Sequence, residues 1–97
     1  MAEDVRVAAF LHAQPGQEAA VRQAATACIA STRTEAGNRM YVLHQDSKDA
    51  ALFVFIEHWD RQQALDQHMQ TPHFKTLTQA LEGKLAQPMT VHVLKPV

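Results

Sequence analysis

The chain has 97 residues, of which 46% are hydrophobic, and its formal net charge is −1. This length predicts one domain, and so small a charge gives no electrostatic reason to expect nucleic acid or an anionic membrane as a partner. A single cysteine excludes an internal disulfide and suits a reducing compartment. Because the sequence shows neither a signal-peptide pattern nor an apolar run long enough to span a bilayer, we expect a cytoplasmic protein.

The first elements in the chain are a strand and a helix. Residues 5–12 alternate between two sets of side chains, which is the period of a strand. Pro15 and Gly16 predict a turn. From Gln17 the apolar period becomes helical in an alanine-rich run, and Gly37 follows where a left-handed cap is expected.

Two more strands follow. Residues 39–45 and residues 51–59 both read as strands, and the polar residues 46–49 between them predict a turn. From Leu52 to Ile56 the third strand is apolar on both sides, as a central strand covered on both faces would be.

The next segment predicts a helix in two pieces. Asp60 and Gln63 have the spacing of a capping box. Thr71 followed by Pro72 is typical of a second helix start, because proline is well tolerated at the first helical position. We therefore expect a bent or broken helix, and the alternation in residues 89–94 predicts the last strand.

The order β-α-β-β-α-β predicts a ferredoxin-like α+β fold, in which a four-stranded antiparallel sheet carries both helices on one face. Two helices can cover only that face, so the other apolar face, with Leu52, Val54 and Ile56, needs a different partner. An identical chain is the simplest one, since large exposed apolar patches are rare on monomers and symmetric dimers are the commonest oligomers. We predict a homodimer that packs sheet against sheet.

Three groups of residues are candidates for chemistry. Glu57 and Trp59 continue an apolar strand face, where a buried carboxylate would need a partner; alternatively the strand frays there and Glu57 lies in water. His68 lies beside the inward stripe of its helix and could be a general base, or a histidine satisfied by a backbone carbonyl. His73 lies in a first helical turn, where the helix dipole favours the neutral ring, and Phe74 is expected to pack inward.

We expect no metal site. The six histidines lie on several elements, and no helix carries two of them at the spacing of a metal motif. Cys28 lies on the inner stripe of its helix, which favours a small core residue over a nucleophile.

Five loose motifs follow one another in order along the chain: Val5-x-Val7, Pro15-Gly16-x-Glu18, Glu35-x-Gly37-Asn38-x-x-Tyr41, Phe55-x-Glu57-x-Trp59 and Ala64-Leu65-x-x-His68-x-x-Thr71-Pro72-His73-Phe74. Together they resemble the antibiotic biosynthesis monooxygenase (ABM) domain family, and above all its small bacterial quinol monooxygenase-like members. The match extends over residues 5–95, which we interpret as one ABM domain.

The resemblance implies an enzyme that forms a dimeric α+β barrel, with an active-site cleft between each sheet and its own helices. Members that oxidise quinols or phenols use dioxygen without metal or flavin, because an electron-rich phenolate can itself pass an electron to oxygen. On this basis we expect a small aromatic substrate and no cofactor. The implied roles are as follows: His68 as base, Trp59 and Phe74 as aromatic walls, Glu57 or Tyr41 as hydrogen-bonding orienter, His73 as second candidate for proton transfer, and Phe55 as a further substrate contact.

The family leaves other functions open. Some relatives bind and degrade haem with an asparagine on the first strand, a tryptophan and a histidine; the first strand here has no asparagine, near Ala9 or elsewhere. Others isomerise a phosphorylated autoinducer-like compound, for which only Lys75 and Lys84 would be nearby cations. A module that binds a small aromatic or haem without turnover, and an accessory dimerisation domain with a packed cleft, are the remaining alternatives.

Overall fold

The computed structural model describes residues 4–97. Its elements follow in the order β1 (Val5–His12), α1 (Glu18–Ala27), α2 (Ile29–Arg33), β2 (Asn38–Gln45), β3 (Leu52–Trp59), α3 (Gln62–His68), α4 (Pro72–Leu81) and β4 (Thr90–Leu94). The predicted order is confirmed, with each helical segment divided in two. The first division is slight, because Cys28 keeps a helical conformation (φ −84°, ψ −15°) and donates its N–H to the carbonyl of Ala25, as in a 3₁₀ turn.

The four strands form one antiparallel sheet in the order β2-β3-β1-β4. This is the ferredoxin-like arrangement that the sequence predicts. The register places Glu57 of β3 between Val7 of β1 and Tyr41 of β2. Since directly opposite residues share a face, these three side chains all lie on the helix-covered side.

The two faces of the sheet differ in burial as the alternation predicts. The face under the helices carries the core, whose strand residues are Val5, Val7, Ala9, Leu11, Tyr41, Phe53, Phe55 and Trp59. On the other face Leu52 and Val54 are half-buried and Ile56 is 36% exposed. The face expected at a dimer contact is therefore open in the single chain, and the dimer itself stays a prediction.

The segment after β3 contains one confirmed prediction and one that is wrong. Thr71 caps α4, because its Oγ1 accepts the N–H of Phe74 at 3.2 Å and Pro72 begins the helix. Asp60 does not cap α3: the residue before that helix is Arg61, in an extended conformation. The reason is that the N–H of Asp60 donates to the carbonyl of Gly37 at 2.8 Å, which prolongs the strand pairing past Trp59.

Among the described residues, no helix combines the length and the apolar character needed to cross a membrane.

Candidate active site

A carboxylate and two imidazoles meet beneath the helices. His68 Nδ1 lies 2.7 Å from Glu35 Oε2, and His73 Nε2 lies 2.6 Å from the same oxygen. Distances this short are those of hydrogen bonds, so a proton lies between each nitrogen and the oxygen. Two ring N–H groups that both donate to one carboxylate oxygen account for both contacts. We call this set, Glu35, His68 and His73, the imidazole cluster.

Local backbone structure brings Glu35 to the cluster. Glu35 lies in the turn between α2 and β2, where the N–H of Asn38 donates to the carbonyl of Glu35 at 3.2 Å. Gly37 takes φ +88° in this turn, and a Cβ on it would lie 2.5 Å from Asp60 Oδ1 and 2.7 Å from Ala64 Cβ. The turn therefore needs glycine both for its left-handed backbone and for its close approach to α3.

The bend between α3 and α4 brings the two histidines together. His68 is the last residue of α3 and His73 is the second of α4. The Oγ1 of Thr71 donates to the carbonyl of His68 at 2.7 Å while it accepts from the N–H of Phe74. One side chain thus satisfies the end of one helix and the start of the next, which fixes the angle at which both imidazoles meet Glu35.

Aromatic side chains enclose His68. Its ring centroid lies 4.9 Å from Trp59, 5.1 Å from Phe74 and 5.5 Å from Tyr41, and Phe55 stacks on Tyr41 at 4.5 Å. The structure therefore places the predicted site residues in one cluster of rings. The cleft expected between the sheet and its helices is closed at this point, because the Trp59 and His68 rings are in contact and His68 is only 1% exposed.

Glu57 is buried and partnered, which decides between the two interpretations left open by the sequence. Its Oε1 accepts the indole N–H of Trp59 at 2.9 Å. Burial raises the pKa of Glu57 to about 7; the bond from Trp59 opposes this rise, and the charge of Glu35 adds to it. A proton on this carboxyl is therefore readily exchanged near neutral pH.

The same burial keeps the neighbouring groups neutral. Burial lowers the pKa of His68, while the hydrogen bond and the charge of Glu35 oppose that change. With its Nδ1–H directed at Glu35, a neutral His68 keeps its lone pair on Nε2. Burial also raises the pKa of Tyr41 far above its usual range, so its hydroxyl keeps its proton, which it donates to Cys28 Sγ at 3.8 Å.

A small cavity between α1 and α4 reaches the imidazole cluster. It has a volume of about 140 Å³ and is lined by Ala24, Ala27, Cys28, His73, Thr76, Leu77 and Ala80. The His73 side chain is 22% exposed, against 2% for His68. His73 is therefore the accessible member of the imidazole pair.

The cluster also contains the donor atoms of a two-histidine, one-carboxylate metal set, all within 4.8 Å of one another. The sequence gives no sign of this set, because only the fold brings His68 and His73 to Glu35. The observed N···O distances are those of direct hydrogen bonds, so each ring N–H already has its acceptor in this arrangement.

Glu35 is the one member of the cluster that was not predicted from the sequence to be a site residue. Its sequence signals were its place in the motif Glu35-x-Gly37-Asn38-x-x-Tyr41 and its position two residues before a glycine in a predicted turn. Such a residue ordinarily lies in water, and its partners follow it by 33 and 38 positions.

The fold and the site together define a small ferredoxin-like α+β domain with a buried acid–histidine cluster among aromatic rings. Residues 4–80 match the antibiotic biosynthesis monooxygenase family, and the chain belongs to that family. Membership supports a monooxygenase-like function.

Solved structures agree with this placement. A Pseudomonas aeruginosa protein is similar over 100% of this chain and 97% of its own, with 34% identity and a TM-score of 0.92. A Mycobacterium tuberculosis protein is similar over 97% of this chain and 95% of its own, with 31% identity and a TM-score of 0.90. A structure described as an antibiotic biosynthesis monooxygenase is similar over 96% of this chain and 98% of its own, with 32% identity and a TM-score of 0.89.

Proposed function

We propose that this protein oxidises a small quinol or phenol with dioxygen and uses neither a metal nor an organic cofactor. The observation that carries the proposal is the imidazole cluster, a pair of imidazoles that share one carboxylate and lie against buried aromatic rings. Membership of a monooxygenase family supports the reaction class.

The electron count permits this chemistry without an added reductant. When a quinol reacts with dioxygen to give a hydroxyquinone and water, one oxygen atom enters the ring and the other leaves as water. The quinol supplies all four electrons, and a phenol does the same when it is converted to a quinone. The protein must remove the phenolic proton, stabilise the resulting charges and exclude water.

The imidazole cluster has the groups that proton removal needs. We propose His68 and His73, joined through Glu35, as the proton-accepting unit. A proton taken by the ring that meets the substrate creates an imidazolium whose other N–H still faces the Glu35 carboxylate, and that charge-assisted bond stabilises the imidazolium. The proton can then return to the reduced oxygen as water forms.

The aromatic residues are proposed to enclose His68 and to keep water away from it. Trp59 and Phe74 contact the His68 ring, with Phe55 stacked behind Tyr41. Tyr41 donates its hydroxyl proton to Cys28, and Glu57 holds the indole of Trp59 in one orientation.

Oxygen uptake with a series of reduced quinones and phenols tests the proposal. We expect His68→Ala to abolish uptake and Trp59→Phe to slow it. His92→Ala, which removes a histidine on the other side of the sheet, is the matched control and should retain the wild-type rate. Treatment with a chelator should leave the rate unchanged. Wild-type rates in both site variants would contradict the assignment, and loss of uptake after chelation would contradict a metal-free reaction.

A second candidate is an accessory dimerisation domain, favoured by the contact that closes the space between Trp59 and His68. It predicts no oxygen uptake with any substrate in the series. Haem is disfavoured as a ligand, because a cavity of about 140 Å³ is well below the roughly 300–1,000 Å³ of pockets that hold drug-sized molecules.

A further inference from the structure

We infer that the ligand of this protein is a single-ring phenol that occupies the cavity between α1 and α4 and meets the imidazole cluster at His73. This inference rests on the proposed function and names its binding site and its size limit. It also separates the roles of the two histidines, because only one of them would touch the substrate.

Access is the first reason. His68 is enclosed by Trp59, Phe74 and Tyr41, and the contact between the His68 and Trp59 rings leaves no room for a ligand between them. His73 lines the cavity and is part-exposed. A substrate that enters from outside therefore reaches His73 without any movement of the core.

The chemistry and size of the cavity are the second reason. Three alanines and Leu77 line most of it with methyl groups, and Cys28, Thr76 and His73 supply its polar atoms. An apolar cavity of about 150 Å³ in another protein is known to accept benzene. The present cavity, of about 140 Å³, is matched to one aromatic ring, and a second fused ring would extend beyond it.

The hydrogen bonds of the cluster assign the roles. His73 Nε2 lies 2.6 Å from Glu35 Oε2, and the tautomer that donates to the carboxylate there leaves Nδ1 to accept the phenolic proton. The O–H bond breaks, the N–H bond forms, and the phenolate keeps the electron pair until it reduces dioxygen. His68 donates to the same oxygen of Glu35 and acts through that carboxylate, as a positioning residue.

The test measures binding without turnover, in the absence of oxygen, through the NMR signals of the His73 and His68 rings. Phenol should shift the His73 signals of the wild-type protein saturably, and 1-naphthol should not. Ala27→Leu fills the cavity from the exposed end of α1, where leucine is a good helix former, and should weaken phenol binding at least tenfold. Ala19→Leu, at an exposed position of α1 outside the cavity lining, is the matched control and should bind as the wild type does.

Wild-type affinity in Ala27→Leu, equal binding of 1-naphthol, or shifts confined to His68 would each overturn the inference. With a substrate that turns over, Ala27→Leu should raise KM. His68→Gln should lower kcat and displace its pH profile with KM unchanged, which loss of packing alone would not do.

The inference and the proposed function fail separately. Phenol bound at His73 without oxygen uptake by the wild type would refute the oxygenase and leave the binding site standing. Wild-type turnover by Ala27→Leu would refute the site and leave the oxygenase standing.

Discussion

Glu57 is a buried carboxyl whose ionisation opposes folding. It lies between Val7 and Tyr41 in the sheet, and its Oε1 has the indole N–H of Trp59 as a hydrogen-bond partner. That bond favours the charged form, yet burial outweighs it and raises the pKa from 4.5 to about 7. A protonated Glu57 therefore fits the fold better than an ionised one.

The contribution of Glu57 to the stability of the protein should fall as pH rises from 4.5 to about 7. In that interval the unfolded chain has lost the Glu57 proton and the folded chain still holds it. The Glu57 contribution to the free energy of unfolding therefore decreases, by about 3 kcal/mol over the whole interval. Urea unfolding of the wild type and of Glu57→Gln at both ends of the interval measures the difference. Glu82→Gln, at an exposed carboxylate, is the control, and equal pH dependence in wild type and Glu57→Gln would contradict the prediction.

Glu35 holds the imidazole pair together, and its charge is what opposes the effect of burial on His68. In Glu35→Gln we expect the pKa of His68 to fall further, because the ring loses the carboxylate that favours its charged form. An NMR titration of the His68 ring measures this, with Glu82→Gln again as control. An unchanged titration would show that the two side chains do not interact in solution.

At the scale of elements, the turn that carries Glu35 depends on Gly37. This residue takes φ +88° and lies against Asp60 and Ala64, whereas Gly83 takes φ +76° with open space where a Cβ would stand. The two glycines share a left-handed backbone and differ in the crowding at the Cβ position, so a comparison of alanine variants measures that crowding.

Gly37→Ala should destabilise the protein more than Gly83→Ala does. Both variants bear the cost of a left-handed non-glycine residue, about 1 kcal/mol, and only Gly37→Ala must also displace Asp60 Oδ1 and Ala64 Cβ. Chemical denaturation of both variants measures the difference. Because displacement of this turn would carry Glu35 with it, Gly37→Ala should also lower oxygen uptake; equal stability in the two variants would contradict the packing argument.

At the scale of the whole molecule, residues 4–97 leave one face of the sheet, with apolar side chains on it, uncovered by their own helices. Val54 and Leu52 are half-buried and Ile56 is 36% exposed on the open face of the sheet. The site lies on the opposite face, under the helices, so association and chemistry involve different surfaces of the same strands. A substitution on the open face of the sheet should therefore weaken dimer formation and leave the geometry of the site unchanged.

Val54→Asp should prevent self-association, because a carboxylate at the centre of an apolar sheet contact would be buried without a partner. Sedimentation should show a dimer for the wild type and a monomer for this variant, while the NMR signals of the imidazole cluster stay unchanged. Ser47→Asp, which adds the same charge in the exposed β2–β3 loop, is the control. A dimeric Val54→Asp would show that the sheet face is not the contact.

Local sequence patterns were sufficient for the elements of this fold. The alternation in residues 5–12 predicts β1 with its observed bounds. Successive side chains of a strand point to opposite faces, so every second residue lies on the face that the helices cover. Thr71 and Pro72 predict the break between α3 and α4 for a similarly local reason. The predicted cap at Asp60 failed because a tertiary contact, the bond from its N–H to Gly37, prolongs the strand.

The histidines show what the sequence by itself determined and what only the tertiary structure decided. Sequence alone was enough to predict the ferredoxin-like order, the two faces of the sheet and His68 as a candidate, since each depends on period and spacing within one element. It could not join Glu35 to His68 and His73, or show that Trp59 closes against His68 while His73 remains accessible. Those facts depend on where a turn, a helix bend and a strand end meet in space, and residues more than 30 positions apart carry no local signal of their contact.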